Sequence, residues 1–211
     1  MALPNWWQVT TPHKDIREGR MSEAIFAADL GDVFYGKAPL EYRDASIFFQ
    51  KTYLTQGIKN LLENVLSRLS GGKGDPVIQL QTPFGGGKTH ALLALYHVVE
   101  NREKVNHFDV ISKLPKPKNA KVVVFVGTQA DPIKGKTPWG EIAHQLGVYN
   151  KVKEHDGKRR SPGKEVLNEI LGDDPVLILI DELVEYAVKA KDFADQISAF
   201  SQELTEAIKS R

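Results

Sequence analysis

The sequence predicts an α/β fold with a mainly parallel sheet flanked by helices, and three observations carry that prediction. Short unbroken apolar runs, Val77–Gln81, Val122–Val126 and Val176–Ile180, read as strands buried on both faces. Between them, apolar residues recur at helical spacing. Strand and helix therefore alternate along the chain, as a parallel sheet requires.

Taken in order, residues 1–43 form an N-terminal segment expected to pack on the core, and residues 44–211 carry the main domain. Ser22 is placed to cap a short helix through Phe26 and Leu30, with Gly31 and Gly36 interrupting it. Asp44 is a stronger N-cap. After it Ile47, Leu54, Ile58, Leu61, Leu62, Val65, Leu66 and Leu69 predict one long helix, weakened locally at Gly57 and ended by Ser70-Gly71-Gly72. Asp75-Pro76 opens the first strand, and a helix from about Lys88 to Val99 follows a glycine-rich turn. Lys113 to Asn119 is irregular. Beyond the second strand, Thr137-Pro138 predicts an N-cap with proline at the first helical position, and Ser161-Pro162 repeats the signature before a helix ending near Leu171-Gly172. Asp174-Pro175 introduces the third strand. Phe193, Ile197, Phe200, Leu204 and Ile208 mark one face of a terminal helix, and no internal repeat is present.

Bulk properties narrow the function classes. A chain of 211 residues with 41% hydrophobic and 26% charged residues has the composition of one soluble globular domain. The net charge of +1 gives no global attraction to nucleic acid or an anionic membrane, so DNA contact is expected only indirectly or through other domains. Without cysteine there is no disulfide, thiolate metal site or thiol nucleophile. The start lacks the basic and apolar stretches of a signal peptide, and the apolar runs are too short to span a bilayer. A cytoplasmic protein is expected.

The chemistry concentrates at Thr82-Pro83-Phe84-Gly85-Gly86-Gly87-Lys88-Thr89. Glycines let successive N–H groups approach phosphate oxygens, and a helix N-terminus adds unpaired donors and a favourable dipole. Lys88 can reach the β- and γ-phosphates of a nucleotide, and the Thr89 hydroxyl can ligate Mg²⁺. Pro83, Phe84, Gly85, Gly86, Gly87, Lys88, Thr89 and His90 are the predicted nucleotide-binding residues, with ATP and Mg²⁺ as ligands. Thr82 departs from the general pattern, which has glycine at that position. A chance glycine-rich turn is disfavoured by the strand before and the helix after.

The third strand ends in Ile180-Asp181-Glu182, the form of a Walker B element. Asp181 can hold Mg²⁺ together with Thr89, and Glu182 is placed to polarise an attacking water, with Lys88 as its catalytic partner. Simple helix capping is the competing reading of Asp181-Glu182. Glu185 and Tyr186 read as helix residues. The Asp-Glu pair marks the additional-strand class of P-loop NTPases, in which another strand lies between the phosphate-loop strand and the Walker B strand. No such strand is found here, so the chain is expected to be the N-terminal part of a longer ATPase, or to need a partner.

Trp6-Trp7-Gln-Val-Thr-Thr-Pro-His-Lys-Asp-Ile-Arg-Glu-Gly, Phe26-Ala-Ala-Asp-Leu-Gly, Thr82-Pro-Phe-Gly-Gly-Gly-Lys-Thr-His90 and Leu179-Ile-Asp-Glu-Leu resemble the N-terminal ATPase region of a large AAA+-like family of bacteria and archaea. The resemblance covers nearly the whole chain, including the unusual Thr-Pro-Phe. Members are much longer and often occur beside DNA methyltransferase genes in anti-phage defence clusters. The resemblance thus implies an ATP-driven role in DNA-directed defence, with sensor and arginine-finger elements beyond Arg211.

Weaker signals divide. Thr128-Gln129-Ala130-Asp131, on the rim after the second strand, offers a polar side chain to sense a γ-phosphate, with an ordinary strand-to-loop exit favoured. His90 suits phosphate contact or packing, with packing favoured. The basic stretches Lys113–Lys121 and Lys151–Lys164 read as solvated loops, lacking the aromatic interleaving of a nucleic-acid groove. Trp6 and Trp7 can anchor on the core or on a partner. Three functions follow: an ATP-hydrolysing module, a nucleotide-binding switch or scaffold without turnover, and a phosphotransferase. The last is disfavoured by the lack of an arginine-rich lid.

Overall fold

The computed structural model of the chain describes residues 4–19, 28–82 and 85–210. Its helices are α1 (Trp6–Val9), α2 (Lys14–Arg17), α3 (Leu30–Phe34), α4 (Leu40–Arg43), α5 (Ala45–Lys51), α6 (Gln56–Leu69), α7 (Lys88–Glu100), α8 (Arg102–Val105) and α9 (Asp109–Ser112), before strand β1 (Lys121–Val126). After it come α10 (Pro138–Gln145), α11 (Lys153–Gly157), α12 (Lys164–Leu171), strand β2 (Val176–Asp181), α13 (Leu183–Lys189) and α14 (Ala194–Lys209). The expected helix from Ser22 through Phe26, and Pro83 and Phe84 of the glycine-rich turn, lie outside the described residues.

β1 and β2 pair in parallel, with Lys121 opposite Val176 and Val126 opposite Asp181. Alternate side chains go to opposite faces. Val124, Val126, Leu177 and Leu179 pack with Leu30, Phe48, Leu62, Leu66, Leu93 and Val98 from the N-terminal helices, α6 and α7. Val123, Ile178 and Ile180 pack with Trp139, Ile142, Leu167, Ile170, Phe200 and Leu204 from α10, α12 and α14. Both faces are thus covered, which is why the strands are apolar without alternation. Each fully buried leucine in these layers contributes about 1.5–3 kcal/mol.

The two edges of this sheet differ. The ladder directs the main-chain groups of Lys121, Val123 and Phe125 towards β2, so those of Val122, Val124 and Val126 face outward, and the middle residue finds a partner. There the Gln145 side chain takes the place of a strand: Val124 N–H donates to Gln145 Oε1 (2.8 Å), and Gln145 Nε2 donates to Val124 O (2.8 Å). On β2 the outward-facing groups are those of Ile178 and Ile180, and no described residue pairs with them.

Four sequence expectations are corrected. Val77–Gln81 forms no strand: it joins neither β1 nor β2, and Val77 and Ile78 stay 43% and 37% exposed. An apolar run becomes a strand only when a neighbour accepts its ladder, and no described residue pairs with this one. The helix expected from Asp44 to Leu69 is two helices, broken at Thr52–Thr55 and not at Gly57. The Thr52 hydroxyl donates to Phe48 O (2.7 Å), ending α5, and the Thr55 hydroxyl accepts from Ile58 N–H (3.3 Å), starting α6. Gly31 lies within α3 instead of interrupting it; glycine is needed there for close approach, since the Gln129 side chain occupies the space of a Cβ, with Cδ 2.6 Å from that position. Ser161 does not cap α12; its N–H donates to Gln196 Oε1 (3.1 Å), and the N-cap is Gly163. The caps at Asp44 and Thr137 form as expected, onto Ile47 N–H (2.9 Å) and Gly140 N–H (3.1 Å).

Candidate functional site

The site begins at the glycine-rich turn. Gly85 and Gly87 have φ of +76° and +77°, the left-handed region that a Cβ disfavours, and a Cβ at either would meet no described residue within 4 Å. Glycine is needed here for backbone conformation and not for fit. Gly87 is the N-cap of α7 and offers no side-chain cap, so the first turn's N–H groups carry no side-chain acceptor from that residue. This helix start also lacks an acidic residue in its first turn, which keeps it available to an anion. Lys88 reaches back over the turn, its Nζ 3.4 Å from Thr82 Oγ1.

The second half is the turn leaving β2. The Thr89 hydroxyl donates a 2.8 Å hydrogen bond to Asp181 Oδ2, while Glu182 N–H donates to Asp181 Oδ1 at 3.1 Å. Both oxygens of one carboxylate are thereby oriented. Glu182 itself adopts φ +52° and ψ +35°, left-handed backbone, which costs a residue with a side chain about 1–2 kcal/mol. Such cost persists where surrounding structure enforces it, often at a working site. The Glu182 side chain is exposed beside this junction.

His90 faces away from the turn. Its ring lies 4.6 Å from that of Phe48, and its Nε2 donates to Thr52 Oγ1 at 2.9 Å, since that hydroxyl's proton is already given to Phe48 O. Burial holds His90 below its ordinary pKa. His97, two turns on, is fully buried, packs its ring at a tilt against Phe48 (5.1 Å) and donates from Nε2 to Tyr42 O (2.7 Å). Burial lowers its pKa too, with Lys104 acting in the same sense and the Tyr42 carbonyl and Asp44 opposing. The N-terminal helices thus grip α7 through two histidines.

Gln129 donates from Nε2 to Asp29 Oδ1 (2.8 Å) and Asp32 Oδ1 (3.2 Å), tying the rim after β1 to α3. The basic stretches are largely paired with carboxylates: Lys113 with Asp109, Lys116 with Glu103, Lys121 with Asp174, Lys151 with Glu169 and Lys158 with Glu154. Trp6 and Trp7 are 69% and 60% exposed and stack edge to face on each other. Gly127 and Lys189 complete the junction and were not anticipated. Lys189 Nζ donates to Gly127 O (3.3 Å) and Thr128 O (2.7 Å), closing α13 onto the end of β1. The readable signal was the lone glycine directly after an apolar run, which marks close backbone approach.

Fold and site define a helix-rich α/β protein in which a glycine turn at a helix start meets a carboxylate turn at a strand end. The chain belongs to the DUF499 N-terminal domain family, which matches residues 7–211. No curated protein and no solved structure matches it. Among the described residues no helix is long and apolar enough to cross a membrane.

Proposed function

We propose that this chain is a P-loop ATPase module of the additional-strand, AAA+-like class, binding ATP with Mg²⁺ at Gly85–Thr89. The observation that carries the reading is the Thr89–Asp181 hydrogen bond, which joins two motifs 92 residues apart at one point. The donor set suits the metal. Among the described residues no cluster of three or more His, Cys, Asp or Glu could cage a cation. Mg²⁺ commonly takes one or two protein oxygens and draws its other ligands from phosphate and water. Thr89 and Asp181 would hold it, and it would supply charge neutralisation at the phosphates. Lys88 binds the β- and γ-phosphates, the α7 N-terminus receives phosphate oxygens, and Glu182 polarises the attacking water. His90 supports α7 through Thr52 and Phe48 rather than touching the nucleotide.

A second reading, a nucleotide-binding switch or scaffold without turnover, is favoured by one observation: Val77–Gln81 stands unpaired while β2 keeps an open edge. We propose that a strand from further along the protein, or from a second copy, completes the sheet between them. Participation in DNA-directed phage defence is supported by the sequence resemblance alone. Phosphate release and ATP binding measured for wild type, Lys88→Ala and Glu182→Gln test the assignment. Hydrolysis requires that Lys88→Ala lose binding and that Glu182→Gln keep binding and lose turnover. A Glu182→Gln variant as fast as wild type refutes the role of Glu182. Binding without turnover in the wild type selects the switch.

A further inference from the structure

We propose that Gly127, backed by Lys189, is the positioning residue that sets Glu182 for hydrolysis; this rests on the ATPase reading above. Gly127 donates its N–H to Asp181 O at 2.9 Å, the last rung between the β1 exit and β2. One residue later the chain turns left-handed at Glu182, and its carbonyl lies directly against the Gly127 α-carbon. A Cβ at position 127 would overlap the Glu182 oxygen, stand 2.8 Å from its carbonyl carbon and 3.0 Å from Tyr186 Cβ. Two of these neighbours are backbone atoms that cannot rotate aside. A side chain at 127 must therefore displace the Glu182 peptide. The carboxylate moves with it, because both belong to one residue.

The second clamp lies at the other end of α13. The Lys189 ammonium holds the carbonyls of Gly127 and Thr128 from the helix's last turn, while Glu182 O accepts from Tyr186 N–H (3.3 Å) in its first. Tyr186 is fully buried between them, with Phe125 at 5.2 Å. The β1 exit thus touches α13 at both ends and fixes its direction. Neither Gly127 nor Lys189 hydrogen-bonds Lys88 or Thr89, and the Gly127 N–H meets the backbone oxygen of Asp181 and not its carboxylate. Their effect should fall first on turnover, with binding through Lys88 and the α7 N-terminus kept.

Steady-state ATP hydrolysis, nucleotide affinity and thermal unfolding of the full chain test this for wild type, Gly127→Ala, Lys189→Ala and Glu182→Gln. Gly127→Ala is expected to lower kcat by roughly ten- to a hundredfold, as ångström-scale misplacement does, with KM and Kd within about twofold of wild type. Lys189→Ala should show the same split with a smaller fall. A folded Gly127→Ala protein with wild-type kcat overturns the inference, as does a parallel loss of binding and turnover in both variants, which is general damage. Should Gly127→Ala fail to fold, Lys189→Ala decides alone. An active Glu182→Gln protein, or a wild type without turnover, sinks the ATPase reading and this inference with it. Loss in Glu182→Gln beside an unaffected Gly127→Ala removes only the inference.

Discussion

The hydroxyl of Thr89, in the first turn of α7, donates to Oδ2 of Asp181, the last residue of β2, at 2.8 Å. A hydrogen bond to a charged acceptor contributes more than a neutral one, and this one joins two elements with little other contact at that point. Thr89→Val keeps the shape and removes the donor. It is expected to cost about 1–2 kcal/mol of stability by urea denaturation. On the proposed function it also abolishes the Mg²⁺ dependence of nucleotide binding. Unchanged stability would show that the pair does not hold the junction.

Lys88 makes one long contact, to Thr82, among the described residues, so its removal should leave the fold intact. Lys88→Ala is expected to keep the wild-type unfolding midpoint while weakening ATP at least about tenfold, near 1.4 kcal/mol. Titration of a fluorescent ATP analogue reads this directly. Equal affinity in both proteins would remove Lys88 from the site.

Gln145 completes the hydrogen bonding of Val124, whose side chain is almost fully buried. Gln145→Leu leaves an N–H and a carbonyl without partners and should cost about 1–3 kcal/mol. Denaturant unfolding measures the loss. The effect is purely structural, so residual nucleotide affinity per folded molecule should not change.

His90 and His97 give the fold an acid limb. Burial holds both below their ordinary value of 6.5, so the unfolded chain binds their protons more readily than the native one. Their contribution is therefore complete above 6.5 and is lost progressively as pH falls through 6.5 towards the lowered native values. His97→Gln retains a side-chain donor towards the Tyr42 carbonyl without titrating. Its stability should vary less than that of wild type between about pH 7.5 and about pH 5, compared by urea unfolding. An unchanged pH dependence would remove His97 as its source.

Local signals were the legible ones. β-Branched runs predicted β1 and β2, cap residues predicted the starts at Asp44 and Thr137, and glycine followed by Lys-Thr marked α7. Each is decided by the residue and its immediate neighbours. Val77–Gln81 misled because its apolar pattern says that it wants a partner strand, while pairing depends on a segment elsewhere. The division of the helix at Thr52 was hidden for a related reason: hydroxyl competition for a carbonyl is a weak effect that periodicity outweighs on paper. At the site, Asp181 and Thr89 could be named from their motifs, whereas the left-handed turn at Glu182 and the glycine beneath it exist only once β1 and β2 are side by side.

Gln145 also distinguishes the two edges of the sheet as surfaces for strand addition. Among the described residues, the outward main-chain groups of β1 are occupied at Val124 by the Gln145 side chain, whereas no described residue pairs with those of β2 at Ile178 and Ile180. Two copies meeting through β2 would each turn outward a β1 edge blocked at Val124, which disfavours further pairing there. One glutamine side chain thereby works against strand addition at β1 while leaving β2 receptive.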